Sequence, residues 1–360
     1  MDKKIIIVGA GIVGVTLAWY LTRYSNANVI LLDQSIAGHG ATKSSFAWLN
    51  VSYNRPDFYQ NLRLKALDEW HALDNKTQGK LNISWNGALS WHDTHEKTAS
   101  FIESHAEQQF PVEPLTTKEI SDKEPKLLNH PDIAAFAKEE GSVDQLWVIK
   151  ILLEEACENG LTYLPNTNVL QLLKDGQKVT GVLTEQDKLY ADQVILAAGI
   201  NNTELLKQLD INLPLFPSPC ILLHLNHPNA QEFIHRIVST PEMEVRAFHD
   251  HQIRVAEDYI DDTAENSPEV IAHSALKIIQ SNFAWSEQLT LDSYSVGIRP
   301  MPKDEMPIIG KVDNYSGLYL LAMHAGIVLS PIISRLAMNE IIHDQIELDL
   351  EPYRLSRFDD

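Results

Sequence analysis

The hydrophobic pattern opens with Ile5-Ile6-Ile7-Val8, four apolar residues without alternation. A β-branched run of this kind predicts a short strand covered on both faces, as in a parallel sheet. It breaks at Gly9-Ala10-Gly11-Ile12-Val13-Gly14, and Val15 to Leu21 then continues with helical spacing. A second apolar run, Val29-Ile30-Leu31-Leu32, ends at Asp33, nineteen residues beyond Gly14. Near the other end, Ile332, Ile333, Leu336, Ala337 and Ile341 form one stripe of a helix. Ser330-Pro331 reads there as an N-cap followed by proline at the first helical position.

The middle of the chain mixes the two periods. Strands are expected in 81–92, 219–226 and 243–258, the last a hairpin turning at His249-Asp250-His251. Amphipathic helices are expected near 57–74, 95–109 and 268–281, with another at about 148–159. Asn166 to Val169 leads a strand–turn–strand stretch that turns at Lys174-Asp175-Gly176 and closes on Val194-Ile195-Leu196-Ala197-Ala198-Gly199. Trp85, Trp91 and Trp147 read as packing residues rather than a stacking platform for bases.

Composition narrows the classes. The chain has 360 residues, 44% hydrophobic and 22% charged, the profile of an ordinary globular protein long enough for about two domains. Its 29 Lys and Arg against 49 Asp and Glu leave a net charge of −20, which disfavours a phosphate-backbone partner. Cys157 and Cys220 stand far apart without a CxxC, so no disulfide framework or thiolate zinc site is expected. Residues 5–21 resemble the apolar core of a signal peptide, but Arg23, Asn26 and Asn28 follow where small residues would be needed. With no apolar window long enough for a membrane span, a cytoplasmic protein is expected.

The strand, glycine turn, helix, second strand and terminal acid together make a dinucleotide-binding unit. Gly9 permits the tight turn, Gly11 lets the backbone approach a pyrophosphate, and Gly14 allows helix and strand to pack closely. The helix N-terminus offers N–H groups and partial positive charge to the diphosphate. Asp33 is suited to ribose hydroxyls and disfavours a 2′-phosphate. This unit alone fits FAD and NAD equally.

Further segments separate the two. Gly38-His39-Gly40-Ala41-Thr42-Lys43-Ser44-Ser45-Phe46-Ala47 is a small, polar loop suited to a phosphate and a flavin edge. Gly297-Ile298-Arg299-Pro300, Pro307-Ile308-Ile309-Gly310 and His324-Ala325-Gly326-Ile327 follow in order. On these residues the chain resembles the D-amino-acid oxidase-like family of FAD oxidoreductases, which includes glycine oxidase, sarcosine oxidase and D-amino-acid dehydrogenase. The resemblance runs from Ile5 to Arg357 and is thinnest at about 80–140 and 215–290.

The resemblance implies an α/β fold: a Rossmann-type, glutathione-reductase-like FAD domain plus an α+β substrate domain with an antiparallel sheet. The FAD domain is expected to be discontinuous, in 1–50, 142–212 and 294–360, with substrate-domain residues in 51–141 and 213–293. By resemblance, Gly9, Gly11, Ile12, Val13, Gly14, Asp33 and Gln34 hold the ADP half, and Ala41, Thr42, Ser45, Phe46 and Ala47 line the diphosphate and flavin. Val169 meets adenine, Ala198 and Gly199 lie beside the nucleotide, and Ala325, Gly326, Ile327 and Val328 sit at the pyrimidine end of the flavin.

The implied reaction oxidises the C–N bond of an amino acid or related amine by hydride transfer to flavin N5. Arg299, over the flavin, would hold the substrate carboxylate through its planar fork, and His324 is a second catalytic candidate. A structural ion pair for Arg299 and a satisfied loop histidine are the plainer alternatives. Arg246 is a further residue within possible reach of the substrate. Some family members attach FAD through a cysteine in the Arg299 region; none lies beyond Cys220 here, so non-covalent FAD is expected. No metal is expected, because His249-Asp250-His251 has no further ligand spacing. A hydroxy-acid oxidoreductase, an NAD-dependent enzyme and a flavin-binding subunit without catalysis are the competing readings.

Overall fold

The computed structural model describes residues 2–52, 56–107, 110, 112–259, 263 and 266–359. Its first sheet has six strands, in the order Ile308–Lys311, Leu318–Ala322, Gln193–Leu196, Lys4–Val8, Asn28–Leu32 and Thr162–Leu164. All neighbours are parallel except the antiparallel pair at the Ile308 edge.

Strand alternation sorts the apolar run between two layers. Ile5 and Ile7 face helices Ile12–Tyr24, Gln145–Glu158 and Gly326–Ile342. Ile6 and Val8 face a three-stranded antiparallel sheet formed by Val169–Asp175, Lys178–Thr184 and Lys188–Tyr190. Ile5, Ile6 and Ile7 are 0% exposed, so neither face has a polar option.

A second sheet has eight strands, in the order Thr290–Pro302, Leu215–Asn226, Gln252–Asp258, Glu244–Phe248, Ile237–Ser239, Ala88–Ser90, Ile133–Ala137 and Val112–Thr116. Ile221, Leu223, Leu225, Val245, Ile253 and Val255 project from one face into a core shared with Ala272, Ala275 and Ile279 of helix Pro268–Asn282. The opposite face carries Leu222 and Ala256, which pack with Phe46 and Trp48. This second face, turned toward residues 41–52, is where the chemistry gathers.

Several elements depart from the sequence-based expectation. The terminal helix begins at Gly326, so Ser330 is not its N-cap and Pro331 lies inside it. Proline cannot donate to the carbonyl a turn earlier; the Ser330 hydroxyl donates to Ile327 O instead, at 3.2 Å. The strand expected over 81–92 shrinks to Ala88–Ser90, following Gly87 in a left-handed conformation (φ 77°). Helix Asp57–Lys76, expected with the substrate domain, packs through Leu62, Ala66, Trp70 and Leu73 into the core of the six-stranded sheet's helices. Its Trp70 Nε1 donates to Val328 O at 3.0 Å. Strand Thr290–Pro302 runs through the expected domain boundary at 293/294. The expected 95–109 helix spans His95–Glu107, and residues 108 and 109 lie outside the described residues. Among the described residues no helix is long and apolar enough to cross a membrane.

Glu124, 0% exposed, accepts from His235 N at 3.1 Å. Burial pushes its carboxyl up to about 7, against the pull of that donor and of Arg236. The folded value lies above the ordinary one. The stability of the neutral form is therefore fully present below about 4.5 and lost as pH rises through about 7. Glu124→Gln should remove up to about 3 kcal/mol of the decline in unfolding free energy between pH 5 and pH 8. Urea unfolding across that range checks this, and identical pH slopes would contradict it.

Candidate functional site

The glycine turn is forced by contact distances. Gly9 has φ 108°, and a Cβ there would lie 2.4 Å from Ala197 O; a Cβ on Gly14 would lie 1.9 Å from Gly9 O. Side chains are therefore excluded at both positions, and helix Ile12–Tyr24 starts directly against the ends of the strands. Gly11 is less constrained, its Cβ position being 3.3 Å from Thr42 Oγ1.

Other expected nucleotide residues converge on this turn. Asp33 Oδ2 accepts from Ala10 N at 2.7 Å and Oδ1 from Ser35 N at 2.8 Å, which fixes the carboxylate and leaves each oxygen a further lone pair. Thr42 Oγ1 accepts from Ile12 N at 3.2 Å. Ala198 N donates to Asn202 Oδ1 at 2.9 Å, and Gly199 (φ 60°) faces open space. Val169 begins its strand just after Thr167, whose N–H donates to Asp33 O at 2.7 Å. Gln34 and Ala41 are exposed beside them.

The earlier start of the terminal helix matters here. Gly326 packs against the first helix, its Cβ position 3.3 Å from Val13 Cγ2 and 3.9 Å from Ile12 Cγ2. Two helix N-termini, at Ile12 and Gly326, thus meet at one place and add their partial positive charges. Ala325 is the N-cap of the second helix, and Ile327 and Val328 form its buried first turn. His324 is exposed, with its carbonyl accepting from Gly326 N at 2.8 Å.

Segment 41–52 joins this cradle to the eight-stranded sheet. Ala47 holds φ 58°, a left-handed conformation that costs a residue with a Cβ about 1 kcal/mol. Buried side chains satisfy the backbone around it. Gln145 Nε2 donates to Lys43 O at 3.1 Å and Ser45 O at 3.2 Å. Glu140, 0% exposed, accepts from Val51 N, Ser52 N and Trp48 Nε1 at 2.5, 2.6 and 2.8 Å. Gln60 Nε2 donates to Val51 O at 2.8 Å, and Arg63 reaches Asn50 O at 2.7 Å. Phe46 is buried under the sheet, and the Ser45 hydroxyl accepts from Ala47 N at 3.1 Å. The Ser44 hydroxyl is buried with no hydrogen-bond partner among the described residues.

Arg299 stands opposite Ser218 in register, on the same sheet face as Gly297, whose Cβ position is 2.7 Å from Ser44 Cβ. Its Nη2 donates to Ser218 Oγ at 3.0 Å and to Asp258 Oδ1 at 3.2 Å. Asp258 is 86% exposed on its side chain, so this pair is a weak, replaceable one. Glu244, one strand further on, shares the face. Its withdrawal from water and the charges of Asp258 and Glu257 push its carboxyl up to about 7, against Arg299 and Arg246.

Arg246 and Arg254 face each other across adjacent strands, both buried. Burial, and for Arg246 the neighbouring Arg254, lowers them to about 9 and about 10. The adjoining His224 is lowered to about 4 by burial and by Arg254. His249 turns to Asp144 at 3.1 Å and His251 to Pro228 O at 2.7 Å.

Sequence reasoning missed Glu140, Gln145, Arg63, Glu244 and Asp258, because nothing local distinguishes Glu140 from its neighbour Glu139 or Asp258 from Glu257. It also placed Cys220 too far away: Cys220 pairs directly with Gly297, and its thiol donates to Gly297 O at 3.6 Å. Sequence distance from Arg299 therefore gives no argument about how a cofactor is attached.

Comparisons with known proteins bear on the family and the fold. The family model for FAD dependent oxidoreductases, DAO, matches residues 4–339. Glycine oxidase of Pseudomonas aeruginosa is 24% identical over 98% of both chains, and D-amino acid dehydrogenase of Vibrio atlanticus is 23% identical over 86% of this chain and 88% of its own. The fold superposes on glycine oxidase from Geobacillus kaustophilus with a TM-score of 0.87 at 20% identity, covering 99% of each chain. With L-amino acid deaminase from Proteus vulgaris the TM-score is 0.88 at 17% identity, covering 99% and 97%.

The close contacts generate a paired expectation. Gly14→Ala should weaken FAD retention at least tenfold, read as the ratio of flavin to protein absorbance after gel filtration. Gly160→Ala, at a left-handed glycine (φ 93°) with open space around it, should leave that ratio unchanged. Equal ratios in the two variants would contradict the packing argument.

Proposed function

Because the chain belongs to the DAO family of FAD-dependent oxidoreductases, we propose that it is an enzyme oxidising the C–N bond of an amino acid or related amine. The flavin fits the residues present. A left-handed Gly199 facing open space, a Cβ-free turn at Gly9 and an orphaned buried hydroxyl at Ser44 all border the same cradle. The residues that would hold it are Gly9 to Gly14, Asp33, Thr42, Ala198-Gly199 and Ala325 to Val328. When bound, FAD supplies the acceptor for a hydride and its two electrons.

The chain's own residues then supply binding and orientation. Arg299 offers a planar fork to a substrate carboxylate. Its present partner Asp258 is exposed, and exposed pairs are worth only about 0–1 kcal/mol, so a bidentate carboxylate displaces it at small cost. Ser218 keeps the guanidinium in place during the exchange. The substrate nitrogen must be neutral for its lone pair to form C=N as the Cα–H bond breaks. Water then adds to the imine and yields a keto acid and ammonia or an amine. The observation that carries this reading is Arg299 on the sheet face that also meets Ser44.

Anaerobic bleaching of the flavin by D- and L-amino acids, sarcosine and hydroxy acids tests it. Amino acids or amines should bleach it, and bleaching by hydroxy acids alone would overturn the proposal. Arg299→Ala should raise KM for the best carboxylate substrate at least tenfold while FAD affinity changes less than twofold. Equal loss of both would remove Arg299 from its assigned role.

A further inference from the structure

Arg246 is 4% exposed, yet among the described residues none of its hydrogen bonds goes to a carboxylate. Nε donates to Phe46 O at 2.8 Å, Nη2 to Val143 O at 3.1 Å, and Nη1 to Ser142 Oγ and Ala247 O, both at 3.3 Å. Its guanidinium also lies 5.4 Å from the Phe46 ring and 5.2 Å from the Phe248 ring. Burying a cation opposite a second arginine is costly, and a neutral residue could fill such a space more cheaply. The donors therefore identify what the residue is kept for.

One of those donors ends on the peptide that precedes Ala47, and another holds Val143, which meets the peptide that follows it. Arg246 fixes Phe46 O on one side, and Val143, itself held through its carbonyl, donates its N–H to Ala47 O at 3.2 Å on the other. The left-handed residue in the cofactor segment is thus gripped from a strand of the eight-stranded sheet. That strand neighbours Gln252–Asp258, which carries Asp258, the partner of Arg299. Gln145 and Glu140 grip the same segment from other parts of the chain.

We propose that Arg246 is a positioning residue that sets the spacing between the cofactor segment 41–52 and the substrate-binding face of the sheet, so that FAD and substrate binding depend on it together. A lysine keeps the charge but has no fork, and cannot reach both Phe46 O and Val143 O with fixed geometry. The substrate half rests on the amino-acid reading above, whereas the FAD half does not.

The experiment compares Arg246→Lys and Arg246→Met with the unaltered protein. FAD affinity is read by quenching of free-flavin fluorescence in the apoprotein, and KM and kcat are read at saturating FAD. Arg246→Lys should raise the FAD Kd at least tenfold and KM at least fivefold, with kcat within twofold; Arg246→Met should exceed it in both. A merely structural role would lower Tm and move neither constant. Kd and KM within twofold of the unaltered protein, or a change in Kd with KM fixed, would overturn the proposal. If Arg246→Met does not fold, Arg246→Lys decides alone. If no amino acid or amine bleaches the flavin, the amino-acid reading fails, and a Kd within twofold still overturns this one.

Discussion

A segment lying between two sheets, in neither of them for most of its length, must find partners for its backbone polar groups elsewhere. Residues 41–52 do so through Gln60, Arg63, Glu140, Gln145 and Arg246, all less than 10% exposed. Each buried backbone donor or acceptor left unmet would cost about 1–3 kcal/mol, so these contacts hold the segment's backbone in one arrangement. That arrangement fixes Ala47 at positive φ, puts Phe46 and Trp48 under the sheet, and brings Thr42 to the first helix. The cradle and the substrate face acquire their relative positions from it.

Electrostatics follows the same geometry. The chain carries a net charge of −20, yet apart from Asp33 the groups gathered at the cradle are mostly positive or partly so. Two helix N-termini meet where Gly326 packs on Val13, and Arg246, Arg254 and Arg299 share the sheet face above segment 41–52. Against an acidic exterior this is a local reversal of sign, as expected of a site for an anionic dinucleotide and a carboxylate. Glu244 and Asp258 moderate it at the end nearest Arg299.

The parts legible in the sequence were those that local contacts decide. Gly9, Gly14 and Asp33 act within one strand–helix–strand unit, and their spacing carried a dinucleotide-binding unit; FAD and the two-part fold came with the family resemblance. Arg299 was legible only through family resemblance. Ser330-Pro331 misled because a capping signature ranks local preference, and here a hydroxyl-to-carbonyl bond lets a proline sit inside the helix. Helix Asp57–Lys76 was assigned by its position in the chain, while its apolar face chose the helices of the other sheet. Glu140, Arg246 and Cys220 depend on partners about 90, 200 and 80 residues away, a distance over which periodicity carries no information.

The contrast between two arginines shows how the site divides its labour. Arg246 spends its donors on backbone carbonyls and a buried hydroxyl, so releasing it would strand polar groups in a dry interior. Arg299 spends one of its bonds on an aspartate whose side chain is 86% exposed and which water can satisfy once released. The first interaction is expensive to break and suits a fixed scaffold; the second is cheap to exchange and suits a ligand that must enter and leave. On the proposed roles, reversing the two would leave the cofactor segment loose and the substrate anchor already occupied. Rigidity beneath the cofactor and exchangeability beside it therefore come from one rule: burial raises the cost of breaking a polar contact.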